Sequence, residues 1–464
     1  MSTRPFRLAL ALLLVVGAAA RADRPPNVLV LFSDDQRADT IGALGNPHVR
    51  TPALDRLVAE GTAFTRAYCM GSDQGAVCVP SRAMLLTGRT LFRVDTKIGQ
   101  DTWPEAFARM GYETFLAGKW HNGEASALRA FRQGRSIFLG GMGDPDTLPL
   151  RDIGPDRKFT APRPAAEHAV KMFADAAIGF LGDRKGQDGP FLCYVAFNAP
   201  HDPRKAPKAY HDHFDPARIP LPANFLPVHP FDNGAMKLRD ELLAPFPRTV
   251  EDTRRQLADY YAAIEHLDHQ VGRILDALRV NGQAGDTVVV FASDHGLAIG
   301  SHGLFGKQSL YEHSMRAPLI FAGPGIPRGK RTEAMAYLLD IFPTLGHLAG
   351  VPGPEGSEGI DLAPAFNDPS AGRPAIFTAY AKGQRAIRDG RWKLIAYPPL
   401  NLTQLFDLDA DPAETRDLAG DPRYAAEVAR LTAMLRARQA EFGDDLPLTT
   451  DKPRPRAFVP PKPR

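Results

Sequence analysis

The sequence predicts an α/β protein built on a mostly parallel central sheet, and three observations carry that expectation. First, Val28–Phe32, Glu113–Ala117, Phe191–Phe197 and Thr287–Ala292 are short, β-branched apolar runs with the length of buried parallel strands. Second, amphipathic stretches separate them. In Thr249–Val280, Leu257, Tyr260, Tyr261, Ile264, Leu267, Val271, Ile274, Leu275 and Leu278 recur at helical spacing. Strand and helix alternating in this way imply a layered α/β sandwich. Third, a polar cluster follows each strand: Asp34 and Asp35, Lys119 and His121, His201, then Asp294 and His295. Open parallel sheets bind ligands beyond the carboxyl ends of their strands, so these chain-distant clusters are expected to converge on one edge.

The ends of the chain read differently. Arg4 and Arg7 precede the apolar stretch Leu8–Ala20, and Ala20-Arg21-Ala22 has the small-x-small pattern of a cleavage site. Residues 1–22 are therefore expected to be a secretory signal peptide, which makes the protein periplasmic or secreted. A membrane span needs roughly 20 apolar residues, and no stretch reaches that. The whole chain holds 56 Lys and Arg against 53 Asp and Glu, and the excess of three is Arg4, Arg7 and Arg21 of the signal. The mature chain then carries no net charge, which argues against a nucleic-acid partner. An anionic substrate would have to be recognised locally.

Residues 23–350 are expected to form the catalytic domain, and the texture changes at residue 351. Val351–Ser357 is rich in Gly and Pro. The strand-like runs Ala375–Tyr380, Gln384–Arg388, Trp392–Tyr397 and Leu405–Leu408 follow, with Asp389-Gly390 as a hairpin signal, then a helical stretch at Ala425–Phe442. Residues 351–451 are thus expected to be a small α+β subdomain with an antiparallel sheet. Residues 452–464 form a tail rich in Pro, Lys and Arg that orders on contact or stays disordered.

Three Cys are too few for a disulfide framework in an exported chain of 464 residues. Cys193 lies in an apolar run and reads as a small buried hydrophobe. Cys78 is different. Pro80, the helix formers Ala83–Leu86 and the stop Thr87-Gly88 put it at a helix N-terminus, where free N–H groups favour an anion. Arg82, four residues on, shares its helix face. A thiol phosphatase would need its Arg six positions after the Cys, and Met84 stands there. Asp34, Asp35 and Asp294 form a hard oxygen environment suited to Ca²⁺ or Mg²⁺.

Cys78-Val79-Pro80-Ser81-Arg82, followed by Leu86-Thr87-Gly88-Arg89, resembles the signature of the type I sulfatases of the alkaline phosphatase superfamily. Asp34-Asp35, Gly118-Lys119-Trp120-His121, Pro200-His201, Ser293-Asp294-His295-Gly296 and Gly306-Lys307 resemble the family's other motifs in the family's order. The resemblance runs to about Leu418, through Phe406-Asp407-Leu408 and Asp411-Pro412-Ala413-Glu414.

It implies an alkaline-phosphatase-like fold and a sulfuric ester hydrolase in which a maturation enzyme oxidises Cys78 to formylglycine (3-oxoalanine). It implies Ca²⁺, ahead of Mg²⁺, held by Asp34, Asp35, Asp294 and modified Cys78, with His295 where many relatives have Asn. Hydrated formylglycine would attack sulfur while Arg82, Lys119 and Lys307 neutralise charge. His201 would protonate the leaving alcohol, and His121 would hold or deprotonate the second hydroxyl as sulfate leaves.

The expected substrate is a sulfated carbohydrate, with aryl sulfates and choline sulfate as alternatives. Trp120, Asn122, Asp202, Arg204 and His313 are candidate substrate contacts, with Gln36, Asp232, Asn233 and Arg316 as further loop candidates. Two rivals are a phosphonate or phosphate diester hydrolase using the same modified Cys, and a glycan-binding protein with Cys78 unmodified.

Overall fold

The computed structural model describes residues 24–460; the expected signal peptide and the last four residues of the tail lie outside the described residues. Ten strands form the main sheet, in the spatial order Lys330–Tyr337, Gly61–Tyr68, Arg316–Ala322, Thr287–Ser293, Asn27–Ser33, Phe191–Ala196, Glu113–Lys119, Gln133–Phe138, Pro149–Ile153 and Arg163–Pro164. The centre is parallel: Val28 pairs with Leu192 and Val288, and Glu113 with Phe191. Antiparallel strands flank it.

Alternation along the first strand explains the layers, because successive side chains point to opposite faces. Leu29 and Leu31 pack with Leu267, Val271 and Ile274 of the long helix Val250–Val280 and with Phe173 and Phe180 of the helix Ala169–Asp183. Val28, Val30 and Phe32 join a core shared with Ala83, Met84 and Leu85 of the helix Cys78–Thr87 and with Phe342 and Leu345 of the helix Ile341–Ala349. Among the described residues no helix is long and apolar enough to cross a membrane. Cys69 and Cys193 are unbridged and buried.

The small sheet has four antiparallel strands, Ile376–Tyr380, Gln384–Arg388, Trp392–Tyr397 and Leu402–Asp407. The expected hairpin closes with Asp389 Oδ1 accepting from the N–H groups of Arg391 and Trp392. One difference matters: Gly71–Ser72 adds a fifth strand, parallel to Ile376–Tyr380, just ahead of Cys78. Ala379 and Ala381 donate to Met70 O and Ser72 O at 3.0 and 2.7 Å, so the small sheet grips the segment that leads into the Cys78 helix.

The tail is ordered by contact as far as it is described. Arg454 N donates to Pro399 O at 2.8 Å, Asp232 N donates to Arg456 O at 2.8 Å, and the Phe458 ring meets Phe246 edge-on at 5.0 Å.

Phe246 belongs to a segment that positions the loop around Lys307. Glu241, buried in this segment, accepts from Phe305 N and Gly306 N at 2.9 and 2.8 Å. Arg248 answers its charge at 2.5 Å, donates to the carbonyls of Ala244 and Gly303, and lies over the rings of Phe246 and Phe305. Arg248→Ala leaves Glu241 buried and uncompensated. It should cost roughly 3–5 kcal/mol, read as a lowered denaturant midpoint with an unchanged slope. A midpoint within error of the parent would contradict this account.

Burial holds three histidines far below the ordinary range, His229 and His266 at about 3 and His302 at about 4. An unfolded chain titrates its histidines near 6.5, so between about pH 6.5 and 4 it takes up protons that the folded chain refuses. Their contribution is complete above about pH 6.5 and lost as the pH falls, by roughly 2 kcal/mol per histidine at pH 5. Denaturant midpoints at pH 7 and pH 5 should show the drop, and His302→Gln should make it shallower.

Candidate active site

The strand ends bring the predicted clusters together. Asp34 and Asp35 leave the first strand side by side, although adjacent strand residues normally face opposite ways. Asp35 resolves this by taking a left-handed conformation, φ 65°, which Asp tolerates better than most residues. Its N–H donates to Asp294 Oδ1 at 3.0 Å, and Tyr260 Oη holds its carbonyl at 2.6 Å. Gly118, at φ 91°, lets Lys119 turn inward; a Cβ there would lie 2.0 Å from Ala196 O. The helix opens at Cys78 and stops at Gly88, φ 70°, as expected. Ser81 Oγ ties it to Asp294 O at 2.7 Å.

Three carboxylates face three cations in this buried cluster. Arg82 Nη2 donates to Asp34 Oδ2 at 3.0 Å and its Nε to Asp294 Oδ2 at 3.2 Å. Lys119 Nζ donates to the same oxygen of Asp34, and Lys307 Nζ to Asp35 Oδ1 at 2.7 Å. The carboxylates are therefore paired with cations of the chain itself, and Arg82 turns its Nε and Nη2 to two of them.

Burial would raise Asp34, but Lys119 and Arg82 hold it well below the carboxylate range. Burial is likewise overcome at Asp35, mainly by Lys307. At Asp294, burial and the Asp34 charge win, and its pKa is raised. His295 rises to about 9, because Asp294, the Cys78 sulfur and Asp35 outweigh its burial.

Within the group formed by Asp34, Asp35, Asp294 and His295, two buried side-chain atoms have no hydrogen-bond partner, Asp34 Oδ1 and His295 Nε2. His295 Nδ1 donates to Gly296 O at 3.0 Å, which leaves Nε2 as the open nitrogen. One donor atom from each of Asp34, Asp35, Asp294 and His295 lies within 4.8 Å of the others. This mixed carboxylate and imidazole set could hold a divalent cation, and its unpartnered atoms are the ones a cation would satisfy.

Cys78, only 3% exposed, lies beside this set. Burial would raise its thiol, yet the charges of Lys119 and Lys307 and the neighbouring imidazoles of His121 and His295 hold it well below the usual thiol range. Its Sγ is 3.5 Å from His121 Nδ1. His201 Nε2 points toward Asp35 Oδ2 at 3.9 Å, while its Nδ1 donates to Asp202 O at 2.8 Å.

The secondary candidates divide. Asp202 stands at the rim and is clamped by Arg239. Trp120 is core: it is 1% exposed, and its indole N–H is taken by Gly123 O and Ser126 Oγ. Asn122 uses its amide on the carbonyls of Val79 and Thr96, bracing the Cys78 helix. Arg204 is buried and turned to Gln256 of the long helix. His313 lies apart from the Cys78 cluster, among His302, Tyr311 and His229. It lines a separate cavity of about 250 Å³ with Arg37 and Arg316. Gln36 is buried and hydrogen-bonded to Ser293 and Thr40. Arg239, Asp240 and Gln308 were missed. Asp240 accepts from both Arg239 and Gln308, so together they link the His201 loop to the Lys307 loop.

With this geometry in view, comparison with known proteins is informative. The Sulfatase family model matches residues 26–351, and the N-sulphoglucosamine sulphohydrolase C-terminal model matches residues 300–441. The choline-sulfatase of Rhizobium meliloti is 28% identical over 459 residues, spanning 90% of this chain and 87% of its own length. The ulvan-active sulfatase of Formosa agariphila is 29% identical over 478 residues, spanning 95% of this chain and 88% of its own length. The solved structure of the phosphonate monoester hydrolase of Agrobacterium radiobacter superposes with a TM-score of 0.72 at 26% identity, covering 90% of this chain and 96% of that one. The chain belongs to the sulfatase family and is a sulfuric ester hydrolase.

Proposed function

We propose that this enzyme removes sulfate from sulfated carbohydrates outside the cytoplasm, using formylglycine made from Cys78 and a divalent cation, Ca²⁺ ahead of Mg²⁺. The observation that carries the reading is the pair of unpartnered buried atoms, Asp34 Oδ1 and His295 Nε2, beside a Cys at a helix N-terminus. Asp34, Asp35, Asp294 and His295 would hold the cation, which supplies Lewis acidity toward the sulfuryl oxygens. Oxidised position 78 supplies the attacking oxygen once hydrated.

The chain's own residues then take distinct parts. Lys119 and Lys307 carry positive charge onto the sulfuryl oxygens, and Arg82 holds Asp34 and Asp294 in place. His201 Nε2 donates a proton to the leaving alcohol, with Asp202 O fixing the ring through Nδ1. His121 Nδ1 accepts a proton at position 78. The carbohydrate assignment draws on the signal sequence, which directs the chain to extracellular polymers, and on the relative named for activity on ulvan. The change of texture at residue 351 supports separating the catalytic part from a C-terminal part.

A second reading, a phosphonate ester hydrolase, is favoured by the similarity to the Agrobacterium enzyme. Comparing kcat/KM for 4-nitrophenyl sulfate and 4-nitrophenyl phenylphosphonate separates the two, and preference for the phosphonate would overturn ours.

Cys78→Ala should lower turnover by ~10³-fold or more while the unfolding midpoint stays near that of the parent. In the parent, mass spectrometry should find the Cys78 peptide with its thiol replaced by an aldehyde. Ordinary activity in the variant sinks the mechanism.

For the cation, adding Ca²⁺ to chelator-treated protein should stabilise it, by about 2.7 kcal/mol at a hundredfold excess over Kd. Asp34→Asn should abolish that gain. An unchanged midpoint on adding Ca²⁺ or Mg²⁺ would rule the site out.

A further inference from the structure

Four exposed cations, Lys237, Lys382, Arg454 and Arg456, stand on three chain segments that meet beside the Lys307 loop. Among the described residues none of them has a carboxylate within ion-pair reach, and Arg456 makes only one side-chain bond, to Asn401 O at 3.2 Å. Their neighbour Arg239 behaves differently, being neutralised by both Asp202 and Asp240. Three carboxylates belong to the same segments: Asp232, whose Oδ1 caps Gly234 N, Asp240, which is taken by Arg239 and Gln308, and Asp451 at the root of the tail. The surface keeps a positive excess.

Its place relative to the catalytic centre follows from bonds between the segments. Gln384 Nε2 donates to Asn233 O and to Gln308 O, at 3.4 and 3.1 Å. Gln308 adjoins Lys307, whose Nζ is 2.7 Å from Asp35. Lys382 is two residues from Gln384, a reach of at most about 7 Å along the chain. Lys237 is two residues from Arg239, which clamps Asp202 next to His201. Asp232 N holds Arg456 O at 2.8 Å, and Pro399 O holds Arg454 N at 2.8 Å. The tail cations therefore stand on a backbone already fixed in place, which lowers the cost of ordering them around a ligand.

We propose that this rim is a docking surface for a polyanionic glycan chain, engaging sulfate or carboxylate groups beyond the one being hydrolysed. The inference rests on the carbohydrate reading above and deepens it. The sequence beyond the signal has no net charge, so a local excess is the means by which a charged polymer can be held. Cations on separate segments suit repeating anionic groups better than one compact anion. The attraction is solvent-exposed and acts within a Debye length, about 10 Å at 0.1 M salt, so it should weaken steeply as salt rises.

The test uses the full chain and fluorescein-labelled dextran sulfate, followed by anisotropy, with neutral dextran as control and 4-nitrophenyl sulfate as a small substrate. The triple variant Lys237→Ala, Lys382→Ala, Arg454→Ala should bind dextran sulfate about tenfold more weakly. Its kcat/KM for 4-nitrophenyl sulfate should stay within about twofold of the parent. Binding by the parent should fall as salt is raised, and neutral dextran should not bind. An unchanged Kd in the variant overturns the proposal, as does equal loss of binding and small-substrate turnover. Single-stranded DNA bound as tightly as dextran sulfate also overturns it, since the surface would then read charge alone. Binding is measured apart from turnover, so an enzyme inactive on sulfate esters would refute the function proposed above and still leave this surface to be judged.

Discussion

The active centre depends on one buried guanidinium. Arg82 spans Asp34 and Asp294, which sit at the ends of neighbouring strands, and it does so from a helix that begins at Cys78. Buried carboxylates at this spacing repel each other and pay heavily for desolvation, so their arrangement persists only with cations among them. Arg82, Lys119 and Lys307 supply those cations from three separate parts of the chain. Removing a partner from such a cluster leaves an uncompensated buried charge, an effect of about 3–5 kcal/mol, far more than an exposed pair contributes. The same contact that neutralises the carboxylates also sets the helix against the sheet, which puts position 78 beside the four candidate ligands.

This division of labour corrects one expectation from the sequence. Arg82 was expected to face the sulfate, because residues four apart share a helix face. The helix face was right, but what lies across from it is Asp34 and Asp294. Lys119 and Lys307 differ from Arg82 in having flexible stems and point charges, which can shift from a carboxylate to an incoming oxyanion more readily than a guanidinium held by two partners and stacked 5.1 Å from Phe32.

The sequence revealed those features whose signal is local. The parallel core strands were legible because burial on both faces demands continuous apolar runs, and Asp34, Lys119, His201 and Asp294 were legible because each follows such a run. The flanking strands escaped. Gly61–Tyr68 and Lys330–Tyr337 carry Thr, Arg, Lys and Glu, and Arg316–Ala322 contains Pro318, where the register shifts between Ala317 and Leu319. Trp120 and Asn122 were misread because nearness in sequence to a catalytic residue says nothing of side-chain direction. Trp120 turns into the core, and Asn122 serves backbone carbonyls. Glu241 and Arg239 sit in a stretch without periodicity, and their roles depend on partners such as Gly306 and Asp202 that only the folded chain brings near.

Those two residues show how a distant part of the chain reaches the chemistry. The N–H groups of Phe305 and Gly306 converge on the Glu241 carboxylate, and that convergence fixes the turn from which Lys307 extends. Burial pushes Glu241 upward, and Arg248 offsets much of that cost. Arg248 is itself held between Phe246 and Phe305, and Phe246 is covered by Phe458 of the tail. Lys307 is thus placed by a sequence of contacts that runs from the tail through an aromatic sandwich to one carboxylate. Phe458 is thereby joined, through Phe246, Arg248 and Glu241, to the loop Lys that pairs with Asp35. Within the tail this support rests on the Phe458 ring, while the Arg454 and Arg456 side chains stand outside that sequence of contacts.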